Sequence, residues 1–345
     1  MQMRLTIKCG VVRLTKRKRA LLETEYDNLQ RFLQGEKGVK LYSANRQQAA
    51  RYYKRPKLGK EYPLSLRNDL IDLHKAKTFW FLRVRVHGVR GGIRIPIIPH
   101  RELPKAAELG ESKLFRRKGR FYVNLVFTFE APPLRRGTSV IGVDLGERIM
   151  AATVLLQNSC IKRPRFLGRE VRGIRRHHAW LRRRLQERGL KRVVKRISDR
   201  EKRRVDAVLH RISKEIVEMA DRTTSWIAIG DLTGIRRKTK TKGKRLRRII
   251  SNMPYHRLTR MIIYKAMMRG VPVVLVNEAY TSIICHVCGR RGLRPTQARF
   301  QCPECGEFNA DLNGAINIAR KVERHLGYMP LCGAACEPAL NYASA

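Results

Sequence analysis

The fold of this chain is decided by residues 139–146, which read Ser-Val-Ile-Gly-Val-Asp-Leu-Gly. Small or apolar residues precede one carboxylate, Asp144, and a turn that contains glycine follows. This pattern predicts a buried strand that ends in an acid, after which the chain returns as a second strand within residues 147–154. Such an acid can bind a divalent cation, because rigid backbone holds it beside open solvent. A simple hairpin acid is the alternative, but Asp311 lies in a similar stretch.

The charge of the chain is strongly one-sided. Its 345 residues include 75 Lys and Arg against 28 Asp and Glu, a formal net charge of +47. Repulsion between so many positive charges destabilises a compact chain unless a polyanion neutralises them. Nucleic acid is such a polyanion, and basic residues spread along the whole sequence indicate an extensive contact surface with it. No segment approaches 18 consecutive apolar residues, and the first residues have no signal-peptide core. We therefore expect a cytosolic protein that binds nucleic acid.

The first part of the chain combines strand and helix patterns. Residues 2–8 and 77–130 alternate like short antiparallel strands with Arg at alternate positions, which predicts a small barrel or sandwich with a basic face. Helical spacing between them predicts three helices, the last over residues 65–77. The helices would therefore be an insertion in the strand domain. Pro132-Pro133 marks a linker after it.

The second part of the chain alternates apolar strands with basic helices. We expect long helices over residues 172–197 and 199–221, separated by a cap at Ser198 and Asp199. Residues 236–248 contain nine Lys or Arg in thirteen positions and are expected to be a loop that becomes ordered on nucleic acid. Two further apolar strands are predicted at residues 226–232 and 271–277.

Four cysteines have the spacing of a zinc site. They form two CxxCG knuckles thirteen residues apart, made by Cys285, Cys288, Cys302 and Cys305. Each knuckle supplies two thiolates from a tight turn, and four thiolates complete a tetrahedral site with no open position, so we expect a structural zinc ion. His286 is then surplus. Cys332 and Cys336 have no second pair and are not expected to bind metal.

Several motifs follow one another in a recognisable order. They are residues 141–146 (IGVDLG), 227–236 (IAIGDLTGIR), 264–266 (YKA), 280–282 (YTS) before the two cysteine knuckles, and 311–317 (DLNGAIN). Together they resemble the TnpB (OrfB) family of transposon-encoded RNA-guided nucleases, which is related to type V CRISPR effectors. The resemblance covers about residues 139–324. Before residue 139 it depends only on the order of strands and helices.

The resemblance implies an α/β fold with two main parts. A RuvC-like, RNase H-type core would occupy residues 138–345, with a four-cysteine zinc ribbon inserted at 281–309. A wedge-like β-barrel would be formed by residues 1–10 and 77–133, with a helical recognition insertion at 11–76. A guide RNA from the end of the element would direct cleavage of double-stranded DNA next to a short target-adjacent motif, with Mg²⁺ as the catalytic cofactor.

One departure from the family affects the catalytic acids. By motif match Asp144 takes the place of the first acid and Asp311 that of the last, but Gly230 stands where the family usually has a Glu. We assign the missing carboxylate to Glu278, at the end of the next parallel strand. Neighbouring strands lie about 4.8 Å apart and end at the same edge, so this side chain can reach the space above Gly230. Asp231 should point to the opposite face.

Two functions therefore remain open from the sequence. The first is an RNA-guided DNA endonuclease that uses two Mg²⁺ ions held by Asp144, Glu278 and Asp311. The alternative is a nuclease-inactive relative that binds guide and target and acts as a repressor or accessory factor, because Gly230 replaces the usual Glu. A DDE-type transposase fits less well, because the motifs follow the RuvC-type order. The sequence leaves the oligomeric state open.

Overall fold

The computed structural model describes residues 2–104, 107–232, 243 and 253–326, without the side chains of Ser198 and Leu326. The chain divides into two compact units, Met1–Ala131 and Pro132–Ala345, directly before the proline pair. Predictions for residues 236–248 (apart from Gly243) and for the two tail cysteines at 332 and 336 concern parts of the chain outside the described residues. Across the described part of the chain, no helix has both the length and the apolar character to cross a membrane.

The first unit is built on one curled antiparallel sheet with the strand order β2-β6-β7-β1-β5-β4-β3. Helices α1 (Lys16–Leu33) and α2 (Ser43–Tyr52) follow the first strand, and side chains of α1 such as Tyr26 share the buried core with strand residues such as Leu125. Lys118 and Gly119 have φ of 52° and 70°, the left-handed values that a tight hairpin turn requires. The strands are β1 (Gln2–Val11), β2 (Leu64–Leu66), β3 (Leu73–Lys75), β4 (Trp80–Val84), β5 (Ile93–Pro99), β6 (Glu108–Arg117) and β7 (Arg120–Glu130).

The helix predicted over residues 65–77 is wrong. This segment contains β2, a short 3-10 helix at Asn68–Leu70, and β3. Leu64 pairs with Leu114 in β6, and Leu73 pairs with Leu82 in β4, so the segment supplies both end strands of the sheet. Leu64 and its partner Leu114 are distant in sequence, and pairing with neighbouring strands overrides the local helical spacing.

The second unit contains a five-stranded mixed sheet with the order β10-β9-β8-β11-β12. The central strand β8 pairs antiparallel with β9 and parallel with β11, and β11 pairs parallel with β12. The predicted strands after the Asp144 turn and at the two later apolar runs are therefore present. The strands are β8 (Ser139–Asp144), β9 (Ala151–Gln157), β10 (Cys160–Leu167), β11 (Ser225–Asp231) and β12 (Val273–Asn277).

Helices cover both faces of this sheet. The helices are α3 (Glu170–Glu187), α4 (Lys191–Arg222), α5 (Tyr255–Met267) and α6 (Ala310–Leu326). Ile141 and Ile227 share a buried cluster with apolar residues of α4 and α5, whereas Val140 and Ala228 share one with α6. A Cβ atom at Gly142 would contact the carbonyl oxygen of Ala315, so glycine lets α6 approach the central strand closely.

The predicted cap at Ser198 and Asp199 is wrong, because α4 continues through both residues. Ile197 and Val205 are both buried, so the helix has buried apolar residues on each side of this position. The break between the basic helices lies earlier, at Gly189, where φ is +66°. The N–H of Gly189 donates to the carbonyl of Gln186, and that of Leu190 to the carbonyl of Leu185, which is a Schellman ending of α3.

Candidate active site and zinc ribbon

The ends of two parallel strands bring two acids, Asp144 and Glu278, towards one face and one edge of the sheet. Side chains alternate across a strand, and Val140 of β8 and Val276 of β12 both lie in the apolar cluster covered by α6. Asp144, Gly230 and Glu278 continue the same alternation on their strands and face α6. The register agrees, because Gly230 pairs with Val276, two residues before Glu278.

Asp144 lies against the first turn of α6, where Asp311 is located. A Cβ atom at Gly314 would lie 2.7 Å from Oδ2 of Asp144, so glycine leaves the space that this carboxylate occupies. Oδ1 of Asn309 accepts hydrogen bonds from the backbone N–H groups of Asp311 (3.1 Å) and Leu312 (3.0 Å). This cap fixes the start of α6 and with it the position of the buried Asp311.

Glu278 fills the space above Gly230. A Cβ atom at position 230 would contact Oε1 of Glu278 and would lie 2.7 Å from its Cγ and 2.8 Å from its Cδ. The carboxyl group of Glu278 therefore lies where a side chain at position 230 would begin. This location agrees with the one expected from the strand order that the family resemblance implies and from the pleat. Its role as a metal ligand stays a prediction.

Asp231, the acid nearest to Gly230 in sequence, faces the other way. Ile227 and Ile229, which share its side of β11, belong to the cluster packed against α4 and α5. Asp231 does not line the cavity that contains the other three acids. The pleat therefore excludes Asp231 as a substitute for a carboxylate at position 230.

Asp144, Glu278 and Asp311 line one open cavity of about 630 Å³. Glu147, Tyr255, Thr281, Ser282 and Gln297 contribute to the same wall, and the cations of the lining are Arg148, Arg172, Arg176 and Arg294. Such a lining combines oxygen ligands for a cation with guanidinium groups that suit phosphate.

Two of these arginines form ion pairs with acids of the cavity. Nε of Arg172 lies 2.9 Å from Oε1 of Glu147, and Nη2 of Arg294 lies 3.1 Å from Oδ1 of Asp311. Arg172 was expected only as part of a basic helix, and its spacing to Arg176 places both on one helical face. Arg294 carried no sequence signal, because the folding of the cysteine segment brings it back to Asp311.

The buried acids titrate unusually in the metal-free protein. Burial, followed by the negative charge of Asp311, raises the pKa of Asp144 to about 7, and Arg294 opposes this shift. Burial also raises the pKa of Asp311, against the positive charges of Arg294 and Arg148. Burial, followed by the surrounding carboxylates, raises the pKa of Tyr255. Burial of the charged carboxylates, with the repulsion from Asp311 as a smaller cause for Asp144, therefore favours either a proton or a cation at this site.

The four predicted zinc ligands come together. The Sγ atoms of Cys285, Cys288, Cys302 and Cys305 all lie within 4.8 Å of one another. The hairpin of β13 (Arg299–Cys302) and β14 (Gly306–Asn309) carries the second knuckle, and Phe300 packs in the small core beside it. Four thiolates at this separation fit a tetrahedral zinc ion, and the number of ligands leaves no open position for catalysis.

Hydrogen bonds between His286 and Asn313 connect the cysteine segment to α6. His286 is buried, and its backbone N–H donates to Oδ1 of Asn313 at 2.9 Å. The ring Nδ1 of His286 also lies 2.9 Å from Oδ1 of Asn313. The side-chain amide of Asn313 donates to the carbonyl of Ile284 at 2.8 Å. His286 therefore connects the ribbon to the helix that carries Asp311, and it is not part of the cysteine cluster.

The chain is similar to known proteins in both sequence and structure. Residues 255–318 match the family model described as "Cas12f1-like, TNB domain". A TnpB-like protein of Methanocaldococcus jannaschii is 34% identical over 133 residues, which are 38% of this chain and 48% of that protein. The resemblance to TnpB is confirmed. A CRISPR-associated endodeoxyribonuclease Cas12f2 of a Micrarchaeota archaeon is 29% identical over 229 residues, 59% of this chain and 40% of the relative.

The fold is also similar to that of a known effector. A cryo-EM structure of Cas12f1 in a complex with sgRNA and target DNA superposes with a TM-score of 0.58 at 12% identity, covering 88% of this chain and 80% of that chain. The curated relatives are matched over about half of their length or less. The chain therefore has a mixed α/β fold similar to that of the Cas12f effectors.

Proposed function

We propose that this protein is an RNA-guided DNA endonuclease encoded by a transposable element. It would cut double-stranded DNA next to a short target-adjacent motif in the prokaryotic cytosol. Relatives named as TnpB-like proteins and CRISPR-associated endodeoxyribonucleases support the class of activity. The strand order of the second unit supports a RuvC-like core at residues 138–345, with a zinc ribbon at 281–309.

The observation that carries this proposal is the location of Glu278 above Gly230. Without it, the proposed metal site would have two acids, Asp144 and Asp311, beside Glu147, which also lines the cavity. With it, the carboxylates come from β8, from the end of β12 and from the first turn of α6, on one side of the sheet. Clustered carboxylates are what a two-metal site for phosphodiester cleavage requires.

The donor set fits Mg²⁺, a hard cation that prefers oxygen ligands. Asp144, Glu278 and Asp311 would hold the ions, which activate the attacking water and stabilise the leaving oxygen when bound. Arg148, Arg172 and Arg176 line the same cavity and would bind phosphates that flank the scissile bond. The chain itself therefore holds the metal, orients the strand and places charge at the reacting phosphate.

The remaining parts of the chain would bind the nucleic acids. The basic helices α3 and α4 and residues 236–248 would contact the phosphates of guide RNA and target DNA. We also propose that residues 1–10 and 77–133 act as the wedge domain and 11–76 as the recognition insertion. Zinc in the four-cysteine cluster would fold the ribbon and would take no part in chemistry.

A nuclease-inactive RNA-guided binder is the second candidate, and Gly230 favours it. In that case Glu278 would be a strand-end acid near the ribbon, and the protein would occupy its target without cutting. Both candidates require guide and target binding. They differ only in whether the cavity performs hydrolysis.

Replacement of the two motif acids tests the proposal. We expect Asp144→Ala and Asp311→Ala to abolish cutting while guide and target binding stay nearly intact, because the metals act on the chemical step. Cleavage of a guide-matched duplex and a mobility shift of the same duplex should be measured on each purified ribonucleoprotein. An equal loss of binding would make both acids structural and would refute the proposed site.

A further inference from the structure

Lys321, on the third turn of α6 after Asp311, forms hydrogen bonds with the backbone on both sides of Glu278. Its Nζ atom donates to the carbonyl oxygen of Asn277 and to that of Ala279, each at 2.9 Å. The two accepting residues flank the proposed metal ligand directly. One ammonium group thus joins the end of β12 to the first residue of the following turn.

Two further hydrogen bonds stabilise the segment of residues 277–281. The hydroxyl group of Thr281 donates to the carbonyl oxygen of Glu278 at 2.9 Å, and the N–H of Ala279 donates to Oδ1 of Asn277 at 2.9 Å. Consecutive carbonyls at 277, 278 and 279 therefore all accept a side-chain donor. Tyr280 follows with φ of +67°, a left-handed value for a bulky residue, so the turn depends on its surroundings.

The donors on α6 form one polar stripe. Asn313, Asn317 and Lys321 are spaced i, i+4, i+8 and lie on the same face of the helix. Asn317 donates to the carbonyls of Thr281 and Ile284, both at 2.8 Å. The helix whose first turn carries Asp311 thus also fixes the segment that carries Glu278.

Glu278 needs such a support because it lies beyond the sheet. The parallel ladder between β11 and β12 ends at the pair Asp231 and Asn277. An acid at position 230 would be held by that ladder, whereas position 278 follows the last ladder pair that the described residues form. Metal ligands bind tightly only when their orientation is fixed by the groups around them.

We propose that Lys321 is a positioning residue that holds Glu278 in its metal-binding orientation. This inference rests on the proposed function, because it assumes that Glu278 binds metal. Lys321 acts through the backbone carbonyls and through the attraction between its charge and that of Glu278, and it does not contact the reacting atoms. A lysine with a merely structural role could make the same hydrogen bonds. Its replacement would then weaken metal binding by the same factor whether or not Glu278 is present.

The first test is hydrogen exchange of the full chain with zinc bound. In Lys321→Met the amides of residues 277–281 should exchange about tenfold faster, because a charged donor to two carbonyls is lost. Arg324→Met is the matched control, since it removes one positive charge from the same helix one turn away, and it should leave this segment unchanged. Unaltered exchange in Lys321→Met would overturn the inference.

The second test is Mn²⁺ binding by calorimetry on the same proteins without nucleic acid. Lys321→Met should weaken Mn²⁺ binding by about 10–100-fold, the usual effect of removing a group that orients a ligand. In a Glu278→Gln background the same replacement should cause no further loss. An equal loss in both backgrounds would overturn the inference, because Lys321 would then act independently of Glu278.

A failure of the proposed function gives a different pattern. If Glu278→Gln and Asp144→Asn bind Mn²⁺ as the parent does, the metal site itself is refuted, and the positioning role is refuted with it. If those two variants lose affinity and Lys321→Met does not, the metal site stands and only the positioning role is wrong.

Discussion

The replacement of Glu278 is the sharpest prediction for the active site. Glu278→Ala removes one of the three carboxylates of the proposed metal site, and we expect Mg²⁺-dependent cleavage to slow by about 10²–10³-fold. This corresponds to a loss of roughly 3–4 kcal/mol of transition-state stabilisation, within the several kcal/mol that a bound metal supplies. Binding of guide and target should change little, because Glu278 carries no positive charge that could bind phosphate.

The same geometry predicts a rescue. In Glu278→Ala the space next to position 230 becomes free, so Gly230→Glu in that background should recover part of the rate. Gly230→Glu alone should not increase the rate, because its Cβ would contact the Glu278 side chain and add a second carboxylate beside it. Asp231→Asn is the matched control on the opposite face and should cut normally.

Single-turnover cleavage of a labelled, guide-matched duplex by each ribonucleoprotein gives the rates. The reasoning is refuted if Glu278→Ala cuts as fast as the parent. It is also refuted if Asp231→Asn is the variant that loses activity while Glu278→Ala does not. A rescue by Gly230→Glu would show that position and charge, and not the identity of the strand, determine the function of the third acid.

Three further outcomes are expected. Cys288→Ser or Cys305→Ser should lower soluble yield and melting temperature, since structural zinc contributes roughly 10 kcal/mol or more; elemental analysis without zinc in active protein would contradict this. RNA affinity should fall with salt at a log–log slope of roughly −0.7 per phosphate neutralised, and a flat salt response would refute the phosphate contacts. Because the pKa of Asp144 is raised to about 7, the metal-free fold should lose stability as pH rises from about 4 to 7. Mg²⁺ should therefore raise the melting temperature more at pH 8 than at pH 6, and an equal rise would contradict the shift.

Much of the site could be predicted because it depends on short-range rules. The apolar runs that end at Asp144 and Asn277 identify parallel core strands, and the pleat then separates Gly230 from Asp231. The cysteine spacing predicts the four-thiolate cluster without reference to the fold, and the four Sγ atoms do come together. These arguments require only strand order and the alternation of side chains.

The parts that could not be predicted depend on contacts between distant residues. Strands β2 and β3 have three residues each, too few for a periodic signal, and their pairing with β6 and β4 decides their structure. The helix boundary was assigned to Ser198 from its residue type, although the left-handed Gly189 ends α3. Arg294 and Lys321 become site residues only after the ribbon and α6 have folded against the sheet.

Cleavage of plasmid DNA by the purified ribonucleoprotein tests the central claim most directly. With its guide RNA and Mg²⁺, the protein should linearise a plasmid that carries the matched target beside the correct adjacent motif. A mismatched plasmid, or the matched one with EDTA, should stay supercoiled. If the matched plasmid is bound but remains uncut in Mg²⁺, the account of the nuclease site is wrong and the protein is an RNA-guided binder.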